Sequence, residues 1–223
     1  MTDYQTPEWH PAFEQYCETI YGLDEDEVQV IQARIAERLD VSRPAVSEMV
    51  RRLAAEGLIK EGRSITLTAK GRALAETVVR RHRLAECFLT QELGLTWAQA
   101  HREAGKWEHI ISPPVEAAMM KRLNSPTTCP HGNPIPGTNY LAPDLESLAS
   151  LAVGSSFTVQ RIPEALEFAD GMLDFLESSE LTPGNGGTVT STSPDGAVCV
   201  TIGGSAVAIG AYASERILVS INN

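Results

Sequence analysis

The stretch QARIAERLDVSRPAVSEMVRRLAAEGLIKEGRSITLTAKG, residues 32–71, decides how the N-terminal part of this chain folds. Val28, Ile31, Ile35, Ala36 and Leu39 recur at helical spacing, and Asp40-Val41 closes the helix they define. Ser42 is a good N-cap with Pro44 in the first turn behind it. The helix it opens runs to about Glu56, with Val46, Met49 or Val50, and Leu53 on its inner face. Gly57 suits the C′ position. Leu58-Ile59 and Ile65-Thr66-Leu67 flank a turn at Gly62-Arg63-Ser64 and read as a two-stranded ribbon. Helix, tight turn, helix and ribbon make a winged helix-turn-helix, whose second helix enters the major groove of double-stranded DNA.

That reading assigns roles to exposed residues. Pro44, Ala45, Ser47 and Glu48 lie on the outer half of the second helix, where base edges are met; Glu48 suits a cytosine amino group, and Pro44 and Ala45 a thymine methyl. Arg43, Arg51 and Arg52, with Lys60 and Arg63 in the wing, suit phosphates. Charge distribution supports this. The 223-residue chain carries a net −11, but residues 43–83 alone have a balance of +6, between −8 for residues 1–42 and −9 for the remainder. One basic segment in an acidic chain is the footprint of a local nucleic-acid surface.

Outward from this core, Ala12–Leu23 has helical spacing at Phe13, Tyr16, Cys17, Ile20 and Tyr21, and the acidic run Asp24–Glu27 ends it. Thr68 starts a long helix to about Leu93, stopped by Gly94; Thr96–Ile111 and Val115–Leu123 follow. Residues 124–143 hold five prolines and no periodicity, and read as a linker or an ordered arm. Short apolar runs at 156–162, 187–192, 197–202, 206–209 and 216–221, with one amphipathic stretch Ala165–Leu176, predict a small five-stranded SH3-like barrel. The expected organisation is a DNA-binding domain over 1–75, a helical dimerisation and metal-binding domain over 76–143, and the barrel domain over 144–223. The fold class is mainly α with a β wing. The four cysteines, with no C-x-x-C pair, read as reduced, mostly buried thiols. Apolar runs fall short of a membrane span, and the polar, acidic start does not read as a secretory signal, so a cytoplasmic protein is expected.

His82 and Glu86, four apart, project from one face of the long helix. His101, Glu108 and His109 fall on or beside one stripe of the next, and Glu14, Gln15 and Glu18 add oxygen donors from the first. An imidazole and carboxylate set of this kind suits a divalent ion such as Mn²⁺, Fe²⁺, Co²⁺ or Ni²⁺.

The runs Ile35-Ala36-Glu37-Arg38-Leu39, His82-Arg83-Leu84-Ala85-Glu86, Trp107-Glu108-His109 and Gly132-Asn133-Pro134-Ile135-Pro136-Gly137, with the Ser42–Leu58 helix, resemble the diphtheria toxin repressor family. That family includes iron-dependent regulators and manganese transport regulators. The resemblance spans roughly residues 12–140 and, more loosely, the C-terminal SH3-like (FeoA-like) domain. It implies a metal-dependent repressor that dimerises, binds a pseudo-palindromic operator when loaded with Mn²⁺ or Fe²⁺, one or two ions per subunit, and controls metal homeostasis genes. It implies one ion at His82, Glu86 and His101, and a second at Glu108 and His109 with Glu18. Iron-type members carry Met and Cys where this chain has Gln15 and Gly105, and manganese-type members carry acids there. The family's barrel domain adds ligands to the first site, for which Glu164, Glu167 and Asp170 are the candidates. The apolar side of the helices at Trp97, Ile110, Ile111, Val115 and Met119 is the expected dimer face. Two alternatives stand beside this: a DNA-binding regulator whose metal site no longer senses, and a metal-dependent hydrolase using Glu108 and His109.

Overall fold

The computed structural model describes residues 11–222; the chain start on which the secretory-signal reading rests lies almost wholly outside them. Helix α1 (Pro11–Glu25) buries Phe13, Tyr16, Cys17, Ile20 and Leu23. The helix-turn-helix is α2 (Gln32–Leu39) and α3 (Arg43–Ala55), joined through Asp40 in the left-handed region (φ 50°). The Ser42 side chain accepts from the Ala45 N–H at 3.4 Å, so α3 is capped as its sequence predicts. Residues 28–31 differ from expectation: they lie outside any helix, and Ile31 is extended (φ −126°, ψ 157°). The β-branched Val28, Val30 and Ile31 favour extended backbone. The Val30 carbonyl accepts from the Ile65 N–H at 2.8 Å and from the Ser64 hydroxyl at 3.1 Å, which ties the segment to the wing. The wing is β1 (Ile59–Lys60) paired antiparallel with β2 (Thr66–Leu67).

Helix α4 (Ala69–Gln91) joins two cores. Leu74, Ala75 and Val78 pack with α1–α3 and the wing. Leu84, Ala85 and Leu89 pack with Ala100 and Ala104 of α5 (Trp97–Trp107) and Met119 of α6 (Pro113–Arg122). A capping box between Thr96 and Gln99 starts α5, which ends at Trp107, so Glu108 and His109 sit in a turn beyond it. The proline-rich arm is ordered: Ile135 and Cys129 enter the second core, and the Ile162 N–H donates to the His131 carbonyl at 2.8 Å. Gly132 (φ +85°) is required there, because a Cβ would strike the Gln160 carbonyl.

The last unit is a six-stranded antiparallel sheet, one strand more than predicted: β3 (Glu146–Ser147), β4 (Ser156–Arg161), β5 (Gly186–Thr192), β6 (Val198–Ile202), β7 (Ser205–Ile209) and β8 (Leu218–Ile221) in the order β3-β8-β4-β5-β6-β7. The amphipathic stretch before β5 is two helices, α7 (Glu164–Glu167) and α8 (Met172–Ser178), broken at Gly171 (φ +70°). A short α9 (Ala211–Ser214) precedes β8. Trp97 and Ala98 of α5 belong to this unit's core, which seats the sheet domain against the helices. Among the described residues no helix is long and apolar enough to cross a membrane.

Candidate metal centre

Helical spacing puts His82 and Glu86 side by side on α4, with the His82 Nε2 3.1 Å from Glu86 Oε1. Helix α5 brings His101 Nδ1 to 3.0 Å from the same oxygen, and α7 brings Glu167 Oε2 to 3.2 Å from His101 Nδ1. Ligand atoms of His82, Glu86, His101 and Glu167 all lie within 4.8 Å of one another. Of the three carboxylates considered in the sheet domain, only Glu167 reaches this group. Asp170 is exposed and outside it, because it follows the break after α7; Glu164 turns instead to Arg83, at 2.9 Å.

Cys129 and His131, which the sequence reading set aside, join the same centre from the arm. Ligand atoms of Glu86, Cys129 and His131 also lie within 4.8 Å of one another, and His131 Nδ1 is 3.2 Å from Glu167 Oε1. His131 is fully buried, with its ring edge-on to Trp97 at 4.5 Å. Asn133, also fully buried, donates to Glu167 at 2.6 Å and to the Ile162 carbonyl at 2.8 Å, so it fixes the carboxylate's orientation. The signal was the Cys-Pro-His spacing ahead of Gly132, a thiol and an imidazole two residues apart. It places one thiol beside a donor set that was expected to hold only nitrogen and oxygen.

The charges of this centre are balanced by protons. Burial opposes the charge on His82, yet Glu86 and Glu108 outweigh it and hold the imidazole pKa well above its usual range. Burial likewise opposes charge on His101, where hydrogen bonds to Glu167 and Glu86 prevail and push the pKa to about 9. Burial raises Glu167, but His131 dominates and its pKa falls to about 2. Two buried atoms of the centre, Glu86 Oε2 and His131 Nε2, have no hydrogen-bond partner. An orphaned buried polar atom is costly unless something partners it. A divalent ion fits: it accepts lone pairs from imidazole and carboxylate and replaces the protons.

A second group lies on the other side of His82. Its Nδ1 is 2.5 Å from Glu108 Oε2, and Glu18, His82 and Glu108 can meet one ion. Glu108 Oε1 is 3.3 Å from His109 Nε2, and His109 Nδ1 is 2.6 Å from Glu14 Oε2. Burial and the adjacent Glu108 push the Glu18 pKa well up, so an ion there would relieve the crowding of carboxylates. Gln15 is exposed, one position round the helix from the buried Glu14, and so lies off this group; the helical phase of α1 favours Glu14 instead. A Cβ at Gly105 would meet nothing within 4 Å, so that position is open space.

On the DNA side, Arg43, Pro44, Ala45, Glu48, Arg51, Arg52, Lys60 and Arg63 are exposed and Ser47 is half-buried. Glu48 pairs with Arg51 at 2.5 Å, and the Arg52 guanidinium lies over the Phe13 ring at 5.2 Å. Of the apolar face expected on α5 and α6, Ile110 and Val115 are exposed. Trp97, Ile111 and Met119 are buried within the chain, Trp97 because it packs into the sheet domain's core.

Comparison with known proteins agrees with this architecture. Residues 10–63 match the model of the iron dependent repressor N-terminal DNA binding domain, 68–137 that of the iron dependent repressor metal binding and dimerisation domain, and 146–221 that of the FeoA domain. The chain is 41% identical over 204 residues to the iron-dependent repressor IdeR of Mycobacterium tuberculosis, covering 86% of this chain and 88% of that one. It is 48% identical over 130 residues to the diphtheria toxin repressor of Corynebacterium jeikeium, 57% of this chain and 54% of that one. A solved manganese-dependent transcriptional repressor in complex with manganese superposes with a TM-score of 0.85 at 33% identity, over 94% of this chain and all of that one.

A winged helix-turn-helix, a helical domain with a buried imidazole and carboxylate centre, and a FeoA domain together define a metal-dependent transcriptional repressor. The chain belongs to the diphtheria toxin repressor family.

Proposed function

We propose that this protein is a cytoplasmic, Mn²⁺- or Fe²⁺-responsive repressor that binds a pseudo-palindromic operator as a homodimer and governs metal homeostasis genes. The observation that carries the reading is the buried centre at His82, Glu86, His101 and Glu167, whose orphaned Glu86 Oε2 calls for an ion. His82 Nε2, Glu86, His101 and Glu167 hold the first ion, with Cys129 and His131 adjoining. A neutral imidazole has one lone pair to give, so with Nε2 on the ion the His82 Nδ1–H donates to Glu108 and orients it. Glu18, Glu108 and His109 hold the second ion, with Glu14 in the place expected of Gln15. Bound there, the ions neutralise charge and tie α1, α4, α5 and α7 together.

Domains over 1–75, 76–143 and 144–223 follow, with α4 running through the first boundary. Arg43, Arg51, Arg52, Lys60 and Arg63 meet phosphates, and Pro44, Ala45, Ser47 and Glu48 face the groove. The dimer forms through Ile110 and Val115. The hydrolase alternative has no support among relatives, which are named as repressors. The non-sensing alternative is disfavoured because the first centre brings His82, Glu86, His101 and Glu167 together, and Gln15 and Gly105 touch only the second site. The test is selection of duplexes from a random pool by Mn²⁺-loaded protein, followed by addition of chelator. Two-fold symmetric sites released by chelator are expected; sites retained equally in chelator would make this a non-sensing regulator.

A further inference from the structure

Phe168 is half exposed, at 52%, although it is a large apolar side chain. Its surroundings supply a reason. The ring stands edge-on to His101 at 5.3 Å, while the guanidinium of Arg38 lies over it at 4.6 Å. One phenylalanine therefore touches both a residue of the metal centre and a residue of the helix-turn-helix.

The segment it ends, Glu164–Phe168, makes the same double contact throughout. Towards the centre, Glu167 reaches His101 and His131, each at 3.2 Å. Towards the DNA-binding unit, Glu164 lies 3.8 Å from Arg38, and the Ala165 N–H donates to Asp26 at 3.0 Å. Asp26 in turn is 3.7 Å from Arg38. Glu164 also accepts from Arg83, which is buried and holds Glu25 at 2.6 Å. Gly22 of α1 clears the space that Glu164 fills, since a Cβ there would collide with its carboxylate. A glycine inside a helix costs about 1 kcal/mol, so that clearance is a local sacrifice to the contact.

Arg38 is the penultimate residue of α2, two before the left-handed Asp40 and four before Ser42, the cap of α3. Its side chain is 11% exposed and enclosed by Asp26, Glu164 and Phe168. A shift of that enclosure acts on the turn that sets the angle of the recognition helix.

We infer that Glu164–Phe168 carries metal occupancy to the helix-turn-helix, with Arg38 as the receiving residue. An ion that draws Glu167 and His101 to a common centre fixes the C-terminal end of this short segment, Glu167 directly and Phe168 through His101. Phe168 and Glu164 then hold Arg38, and the α2–α3 turn, in one arrangement. Without the ion the segment keeps only proton-mediated contacts to the centre, and the turn samples more than one arrangement. Arg38 and Phe168 are positioning residues; neither contacts ion or DNA in this account.

The inference rests on metal-dependent operator binding, and its test separates the two. Full-length wild type, Phe168→Leu and Arg38→Gln are compared for Mn²⁺ affinity without DNA, and for operator affinity in saturating Mn²⁺ and in chelator. Hydrogen exchange of residues 32–46 is followed with and without Mn²⁺. Both variants are expected to keep Mn²⁺ affinity and chelator-state DNA affinity within about two-fold. The gain in operator affinity on adding Mn²⁺ is expected to fall at least about five-fold, with loss of Mn²⁺-induced protection in 32–46. The double variant should be no worse than either single one, because both interrupt one path. Phe168 is exposed enough that its leucine variant folds, so a misfolded Arg38→Gln leaves a decisive measurement. Retention of the full gain by Phe168→Leu overturns the inference; so does a lost gain that tracks a lost Mn²⁺ affinity, which would make the segment only a wall of the metal site. Absence of any Mn²⁺ gain in wild type overturns the repressor reading itself.

Discussion

His101 is where the chemistry of the centre can be read most directly. Its pKa of about 9 means that the metal-free protein holds an imidazolium there at neutral pH, and an ion must displace that proton. His82 and His131 are raised in the same direction. Mn²⁺ binding at pH 7 is therefore expected to release about one to three protons per ion, with affinity rising towards pH 9. Calorimetry in buffers of different ionisation heat measures this; zero proton release would remove the imidazoles from the ligand set. Asp26 makes a separate prediction. Burial, then Glu164, raises its pKa to about 6, against the pull of Arg38 and Arg161. An acid with a raised folded-state pKa favours the fold while protonated, and that advantage is lost as pH climbs from the unfolded value, near 4, to 6. Asp26→Asn should thus match wild type near pH 4 and exceed it by at most about 3 kcal/mol above pH 6, measured by denaturant unfolding of the metal-free protein. Equal stability at both pH values would contradict the assignment. Residue by residue, the candidate ligands on regular helices were legible in the sequence, because His82 and Glu86 stand four apart on α4 and His101 lies on α5; Glu108 and His109, in the turn after α5, came through the resemblance. Cys129 and His131 were not, since an aperiodic arm carries no phase that says which helix it meets. Gln15, expected among the donors, is exposed here, while Glu14, one position and about 100° round the helix, is buried beside His109.

Element by element, the helix-turn-helix was the most legible part, because Ser42, Asp40 and Gly57 announce the caps and turn that form there. Val28–Ile31 shows the limit. Its apolar spacing continues the helical period of α2, but the wing offers Ile65 N–H as a partner, and tertiary pairing overrides the period. Helix α3 yields a test of its own. Glu48 is exposed and balanced by Arg51, so it can turn to a base edge without facing a phosphate unpaired. Glu48→Gln should change preference at one base pair per half-site by about 1–3 kcal/mol, whereas Arg52→Ala should weaken all sequences alike and flatten the salt dependence by about one unit. Selection of the same consensus by both proteins would leave Glu48 as a solvent-facing residue.

Over the whole molecule, the sheet domain is tied to the rest by Trp97 in its core, by Glu167 in the metal centre, and by a buried ion network of Glu25, Asp26, Arg38, Arg83, Glu164 and Arg161. Sequence periodicity located the domain but not this docking, which joins residues such as Arg83 and Glu164, 81 positions apart in sequence. Glu167→Gln is expected to lower Mn²⁺ affinity about tenfold or more, a loss an independent appended domain would not show. The central claim is that occupancy of the buried centre governs DNA binding. It is tested most directly by operator binding, followed by fluorescence anisotropy, as Mn²⁺ is titrated into wild type and His82→Ala. The account predicts that wild-type affinity rises at least about tenfold over the chelator state while His82→Ala stays near the chelator value. Wild type binding its operator equally well in chelator and in Mn²⁺ would contradict it.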